Sequence, residues 1–158
     1  MRVNTVSKAI LFISVLSTLI HGKAIANPVT QQNNIKSFTE WCQQKSTLPK
    51  ATKHTVEVLL KEAGTQNCQQ ANQKLRSLTE LDIIHSKLSD LKPLAKLTNL
   101  TELNLENNQI SDVKPLVNLT NLTNLDLGLN KISNLKPLSS LTNLTKLDLW
   151  HNEISDVR

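Results

Sequence analysis

Residues 100–121 read LTELNLENNQISDVKPLVNLTN, and residues 122–143 read LTNLDLGLNKISNLKPLSSLTN. Leu78, Leu100, Leu122 and Leu144 each open the same phrase, 22 residues apart with no insertion. Within each phrase the apolar positions fall at fixed offsets: Leu103, Leu105 and Ile110 in the second, Leu125, Leu127 and Ile132 in the third. A strict period of this length signals a solenoid of stacked coils. The L-x-L core alternates with period two, so Leu103 and Leu105 point inward and Asn104 outward, as in a strand. Coils stacked about 4.8 Å apart make a parallel sheet whose inner side is a continuous leucine core. Pro93, Pro115 and Pro137 fix φ and favour a short tight turn on the convex side over a long helix.

Three asparagines, Asn108, Asn130 and Asn152, fall where the chain leaves the strand. Buried there, such a side chain hydrogen-bonds backbone groups of its own and the neighbouring coil. Ser86 stands at the same place in the first phrase and is a weaker substitute.

The phrase L-T-N-L-T-x-L-x-L-x-x-N-x-I-S-D-V-K-P-L resembles the repeats of internalin-like bacterial leucine-rich-repeat proteins. The resemblance covers residues 78–158, about half the chain. It implies an α/β fold: a leucine-rich-repeat solenoid with a short parallel sheet on the concave face, 3-10 and loop segments on the convex side, and a small N-terminal α-helical cap. It also implies secretion or surface display, and protein recognition on the concave sheet. Members of that group carry more repeats and a C-terminal capping domain, whereas the fourth repeat here is incomplete at Arg158. Leu147, Leu149, Ile154 and Val157 are therefore expected to form an open end, either because the chain is part of a longer product or because that end packs on a partner.

Ahead of the repeats the grammar differs. Residues 1–26 read as a signal peptide: Arg2 and Lys8 make a basic start, residues 9–20 an apolar run, and Ala24-Ile25-Ala26 a cleavage motif. Twelve helical residues span only about 18 Å, short of the ~30 Å hydrocarbon layer, so membrane contact is expected only before cleavage. Residues 27–36 read as a flexible lead-in and 37–77 as the helical cap. Ser37 with Glu40 is a capping box. A second helix over 50–63 places Val56, Leu59, Leu60 and Ala63 on one stripe, with Gly64 as its C′ residue. A third helix is expected over 66–75. Phe38, Trp41 and the Val56–Leu60 stripe are the core of this unit, and His54 is expected on a helix surface. Cys42 and Cys68 follow an export signal, and an even count in an oxidising compartment argues for a disulfide over a metal site.

Charge sharpens the division. Without residues 1–26, basic residues number 15 against 13 acidic, a net +2. Residues 27–77 hold 7 basic and 3 acidic side chains, and residues 78–158 hold 8 and 10. No lysine-arginine run is present and aromatics are sparse, so nucleic acid is not an expected partner. The outward strand positions form the candidate binding face: Glu80, Asp82, Glu102, Asn104, Glu106, Asp126, Leu129, Lys146, Asp148 and Trp150. Acidity on this face suits a basic or polar protein partner, or a glycan, with Trp150 and Leu129 as apolar anchors.

Chemistry is not expected. Adjacent strands bring Asp126 and Asp148 together, which raises repulsion or invites a cation, but Lys146, two residues from Asp148 on the same face, is placed to neutralise Asp148 instead, and no metal is assigned. His85 and His151 lie three coils apart, roughly 14 Å, too far to share a metal. Three scattered glycines make no phosphate loop, no nucleophile is paired with a base, and no cofactor is implied. The Asn-Leu-Thr triplets at 99, 118, 121 and 143 are produced by the repeat itself. The leading expectation is an exported, non-catalytic scaffold, secreted, periplasmic or held at the cell surface. Two alternatives stand beside it: the N-terminal part of a longer protein whose activity lies downstream, and a relative of the phosphatase-regulating proteins with similar repeats, against which the export signal argues.

Overall fold

The computed structural model describes residues 36–155; the expected signal peptide, nearly all of the expected lead-in and Val157 lie outside them. Three helices come first: α1 (Phe38–Gln43), α2 (Lys50–Glu62) and α3 (Cys68–Ser77). Four three-residue strands follow: β1 (Glu80–Asp82), β2 (Glu102–Asn104), β3 (Asn124–Asp126) and β4 (Lys146–Asp148). They form one parallel sheet in the order β1-β2-β3-β4. Its register is the sequence period itself, with Leu81 opposite Leu103, Leu103 opposite Leu125 and Leu125 opposite Leu147. Between strands the chain returns through 3-10 turns at Lys92–Leu94, Lys114–Asn118 and Lys136–Ser140, each with proline at its start. This is the α/β leucine-rich-repeat solenoid with a helical N-terminal part.

Three of the helix ends have a local cause. Glu40 N–H donates to Ser37 Oγ at 3.3 Å while Ser37 N–H donates to Glu40 Oε2 at 2.6 Å, a closed capping box on α1. At the end of α2, Gly64 takes φ +62, which glycine adopts without a Cβ penalty. Thr65 N–H then reaches Leu60 O and Gly64 N–H reaches Lys61 O, the paired bonds of a Schellman motif. The third helix starts at Cys68, two residues later than its apolar pattern suggests, because the Asn67 side chain accepts from Gln70 N–H at 3.0 Å and sets the N-cap there.

One core runs from the helices through the coils. Phe38, Val56, Leu59, Leu60, Ala71 and Leu75 continue into Leu81, Leu103 and Leu125, then Ile83, Leu105 and Leu127, then Leu88, Ile110 and Ile132. Burying each such side chain contributes roughly 1.5–3 kcal/mol. Trp41 packs on this core while half-buried, with Lys36 Nζ 4.9 Å above its ring. Cys42 and Cys68 form a disulfide tying α1 to α3. Closing a loop of that length stabilises by about 3.5 kcal/mol in the chain-entropy model. In the fourth coil Leu147 is 41% exposed, and Leu144, Leu149 and Ile154 are half-buried.

The helices meet the first coil through polar contacts that the sequence did not disclose. Thr52 Oγ donates to Asp90 Oδ2 at 2.6 Å and Thr55 Oγ to Asp90 O at 2.7 Å. His54 is not a free surface residue: half-buried, its Nε2 lies 2.7 Å from Ser86 O.

A candidate binding face

The site is a product of backbone bookkeeping. A coil with one three-residue strand leaves many amides and carbonyls without a ladder partner, and each must find one. Asn108 supplies several at once. Its Oδ1 accepts from Ser86 N–H and Leu88 N–H at 3.2 and 2.9 Å, and its Nδ2 donates to Ile83 O and Leu105 O at 2.7 and 2.9 Å. Asn130 repeats the pattern with Ile110 N–H, Leu105 O and Leu127 O, all at 3.0 Å. Asn152 does so with Ile132 N–H, Leu127 O and Leu149 O, all at 2.9 Å. Asn108 and Asn130 are 7% exposed, whereas Asn152 is half-buried.

Two further ladders run beside this one. Asn99, Asn121 and Asn143 donate Nδ2 to Arg76 O, Thr98 O and Thr120 O at 2.7–2.8 Å. Thr101, Thr123 and Thr145 donate Oγ–H to the threonine carbonyl one coil earlier at 3.1 Å. Asn121 and Asn143 are thus committed to the preceding coil and Asn99 to the end of α3, a structural reason for the recurring triplets. The signal was in the sequence: these side chains recur every 22 residues, and each has its structural partner about 22 residues earlier.

Strand ends carry the outward polar column. Asn104, Asp126 and Asp148 each use Oδ1 to accept the N–H two residues on, from Glu106, Gly128 and Trp150, at 3.0, 2.9 and 3.0 Å. These side chains terminate the strand as well as face outward. The chain then turns through left-handed residues, His85, Asn107, Leu129 and His151, at φ +50 to +53. The amides of His85, Asn107 and Leu129 reach the next coil, as Leu129 N–H does at Trp150 O, 2.9 Å. Asn and His tolerate this conformation better than most residues, which accounts for His85 and His151 without any metal chemistry. Leu129 is the exception, half-buried in a left-handed turn; it belongs to this column and not to the outward strand positions.

A trough of about 380 Å³ lies on the sheet face, lined by Glu80, Asp82, Glu102, Asn104, Asn124, Asp126 and Lys146 over the Leu81, Leu103 and Leu125 backbone. The structure therefore brings six of the sequence candidates together. Glu106, Leu129, Asp148 and Trp150 lie outside its lining, and Asn124 joins it. Four carboxylates face one ammonium. Among the described residues the one side-chain ion pair within 4 Å is Lys92–Asp90, at 3.7 Å, and Lys146 makes none with Asp126 or Asp148. No group of three or more metal-ligating side chains occurs among the described residues.

At the fourth strand Trp150 is 49% exposed. Its indole edge, Nε1 and Cδ1, fills the space where a side chain on Gly128 would begin, and Asp126 Oδ1 lies 3.3 Å from that same point. His151 meets the indole edge-to-face, with ring centroids 4.5 Å apart.

Comparison with known proteins agrees with this geometry. The family model for leucine-rich repeats matches two stretches, residues 76–118 and 120–158. Among solved structures, an internalin of Listeria monocytogenes (InlF) is 34% identical, with a TM-score of 0.59 over 66% of this chain and 31% of its own. The functional domain of InlJ from Listeria monocytogenes, which includes a cysteine ladder, is 28% identical, with a TM-score of 0.60 over 78% of this chain and 25% of its own. A leucine-rich-repeat protein of Leptospira interrogans is 32% identical, with a TM-score of 0.50 over 54% of this chain and 22% of its own. The chain thus spans a third or less of the length of these three proteins. No curated protein sequence matches it.

Proposed function

The chain belongs to the leucine-rich-repeat family, with internalin-like repeats, and on that premise we propose that it is an exported, non-catalytic scaffold that recognises a macromolecular partner on its acidic concave face. The observation that carries this reading is the trough: Glu80, Asp82 and Glu102 stand exposed and Asp126 half-buried, with Lys146 as the only cation in the lining. A surface left acidic and unpaired lowers the free energy of a basic partner more than that of a neutral one and speeds its encounter. Rigid strands on a hydrogen-bonded solenoid hold these groups in register, so little ordering entropy is lost on binding.

Two features support export. The N-terminal segment has the basic, apolar and small-residue order of a signal peptide. Cys42 and Cys68 are joined as a disulfide, the bond of an oxidising compartment. A protein partner is the reading we favour over a glycan, because the trough is charged and its lining has no aromatic platform for a sugar ring.

Charge reversal tests the face. Replacing Glu102 and Asp126 by Lys inverts the centre of the trough while leaving every buried leucine in place. The fold, read by circular dichroism, should be retained, and retention on immobilised lysozyme as a basic protein probe at low salt should fall at least tenfold. Unchanged retention would remove the concave face from the proposal.

A further inference from the structure

The geometry points to a seat for a single arginine side chain of a basic protein partner at the β3–β4 end of the face, formed by the Trp150 indole with the Asp126 and Asp148 carboxylates. It rests on the concave-face reading above and names the chemical group that the face would grip.

The seat is built, not incidental. Gly128 has no side chain, and the Trp150 indole edge occupies the room this leaves. At the matching place in the first two coils stand Ile84 and Glu106, so an indole from the next coil has a glycine beneath it only here. His151 braces the ring from the side. Held by both, the ring still leaves half its surface to solvent.

The two carboxylates are placed with equal definition. Asp126 and Asp148 are register partners on neighbouring strands, which sets their backbones about 4.8 Å apart. Each is oriented by an Oδ1 bond to the amide two residues on. Among the described residues neither Oδ2 has a hydrogen-bond partner, and no cation pairs with either group. Two fixed, unpaired anions beside a fixed aromatic face suit a planar cation that stacks and donates in the same plane. Guanidinium does both, whereas ammonium is a point charge on a more strongly hydrated head.

The other tryptophan supplies an internal comparison. Trp41 carries Lys36 of its own chain 4.9 Å above its ring. No such cation from this chain lies over Trp150 among the described residues. The described residues thus leave the exposed Trp150 ring open to a cation from a partner.

The test follows the two indole N–H signals of the isotope-labelled full chain by NMR, assigned with Trp150→Phe. At low salt, a hexa-arginine peptide should move the Trp150 signal saturably and leave that of Trp41 in place. The hexa-citrulline peptide, neutral and nearly isosteric, should move neither. Gly128→Ala displaces the indole and should weaken the arginine peptide at least tenfold, and Asp126→Asn should weaken it several-fold. Equal response to the citrulline peptide, or indifference to Gly128→Ala and to Trp150→Ala together, overturns the seat. Calcium chloride alone moving the Trp150 signal and displacing the peptide would make this a metal site and overturn it too. Peptide shifts confined to Glu80 and Glu102 would overturn the seat while sparing the concave-face reading. Shifts at Trp150 in a chain whose protein probe is insensitive to Glu102 and Asp126 reversal would do the opposite.

Discussion

The helical unit and the coils solve the same problem by opposite means. Residues 36–77 are held by interactions that occur once: a disulfide, a capping box, a Schellman turn, a lysine over a tryptophan. The coils are held by interactions that recur every 22 residues, so that one side-chain type in one place does the same work several times. Singular contacts concentrate vulnerability. Recurring ones distribute it along the stack, but they make each coil depend on its neighbours.

The largest test of that difference is within the asparagine ladder. Asn130 is buried and bonds Ile110 N–H together with Leu105, Leu127 and Gly128 carbonyls. Asn130→Ala leaves these groups unpaired in an apolar interior, at roughly 1–3 kcal/mol for each that water cannot reach. A loss of about 4 kcal/mol is expected in denaturant unfolding. Asn152→Ala removes the same bonds at a half-buried position and should cost less than half as much. Equal losses would show that burial does not set the ladder's strength.

That contrast also explains what was legible. The sheet, its register and the leucine core follow from a period that admits one stacking, and the lysine-proline turns from the fixed φ of proline. The helices were legible in kind, though α3 begins at Cys68 because Asn67 caps it. What escaped had no periodic or compositional mark. His54, Thr52 and Thr55 look like polar residues of a helix surface, and only the docking of α2 on the first coil gives them partners. Leu129 is apolar on an alternating pattern, and its left-handed φ moves it out of the strand column. In the face itself, the acidic column was readable from alternation, but the packing of Trp150 over Gly128 relates two coils at positions that do not repeat.

A middle-sized test lies where the two regions join. Asp112 and Asn134 each accept from the lysine amide two residues on, at 2.9 and 3.0 Å, and Asp90 does the same at 3.0 Å. In the first coil alone the second carboxylate oxygen of this turn takes a bond from the helical unit, at Thr52. Asp90→Asn should keep the turn and weaken the charge-assisted docking bond, costing about 1–2 kcal/mol. The same change at Asp112 should cost at most ~0.5 kcal/mol, as for surface substitutions generally. Hydrogen exchange should locate the Asp90→Asn effect in α2; an effect spread evenly through the coils would mean that the junction is no weak point.

The smallest effect is a pH dependence confined to the helical unit. Glu40 accepts from Ser37 Oγ–H at 2.7 Å and from Ser37 N–H at 2.6 Å, and these bonds hold its carboxyl below the usual carboxylate value, with Lys96 and Lys36 adding to the shift. A carboxylate whose pKa is lowered by folding contributes stability that is present above its unfolded pKa. That contribution is lost as pH falls through the folded value. These bonds sit at the start of α1, so acidification should loosen α1. Amide exchange at Glu40 and Trp41 should rise between neutral pH and the acid range after correction for intrinsic rates, and Glu40→Gln should remove most of that rise. If the amides of β2 and β3 opened over the same range, the two regions would be one cooperative unit with respect to protons, and the division between singular and recurring contacts would not govern how the chain comes apart.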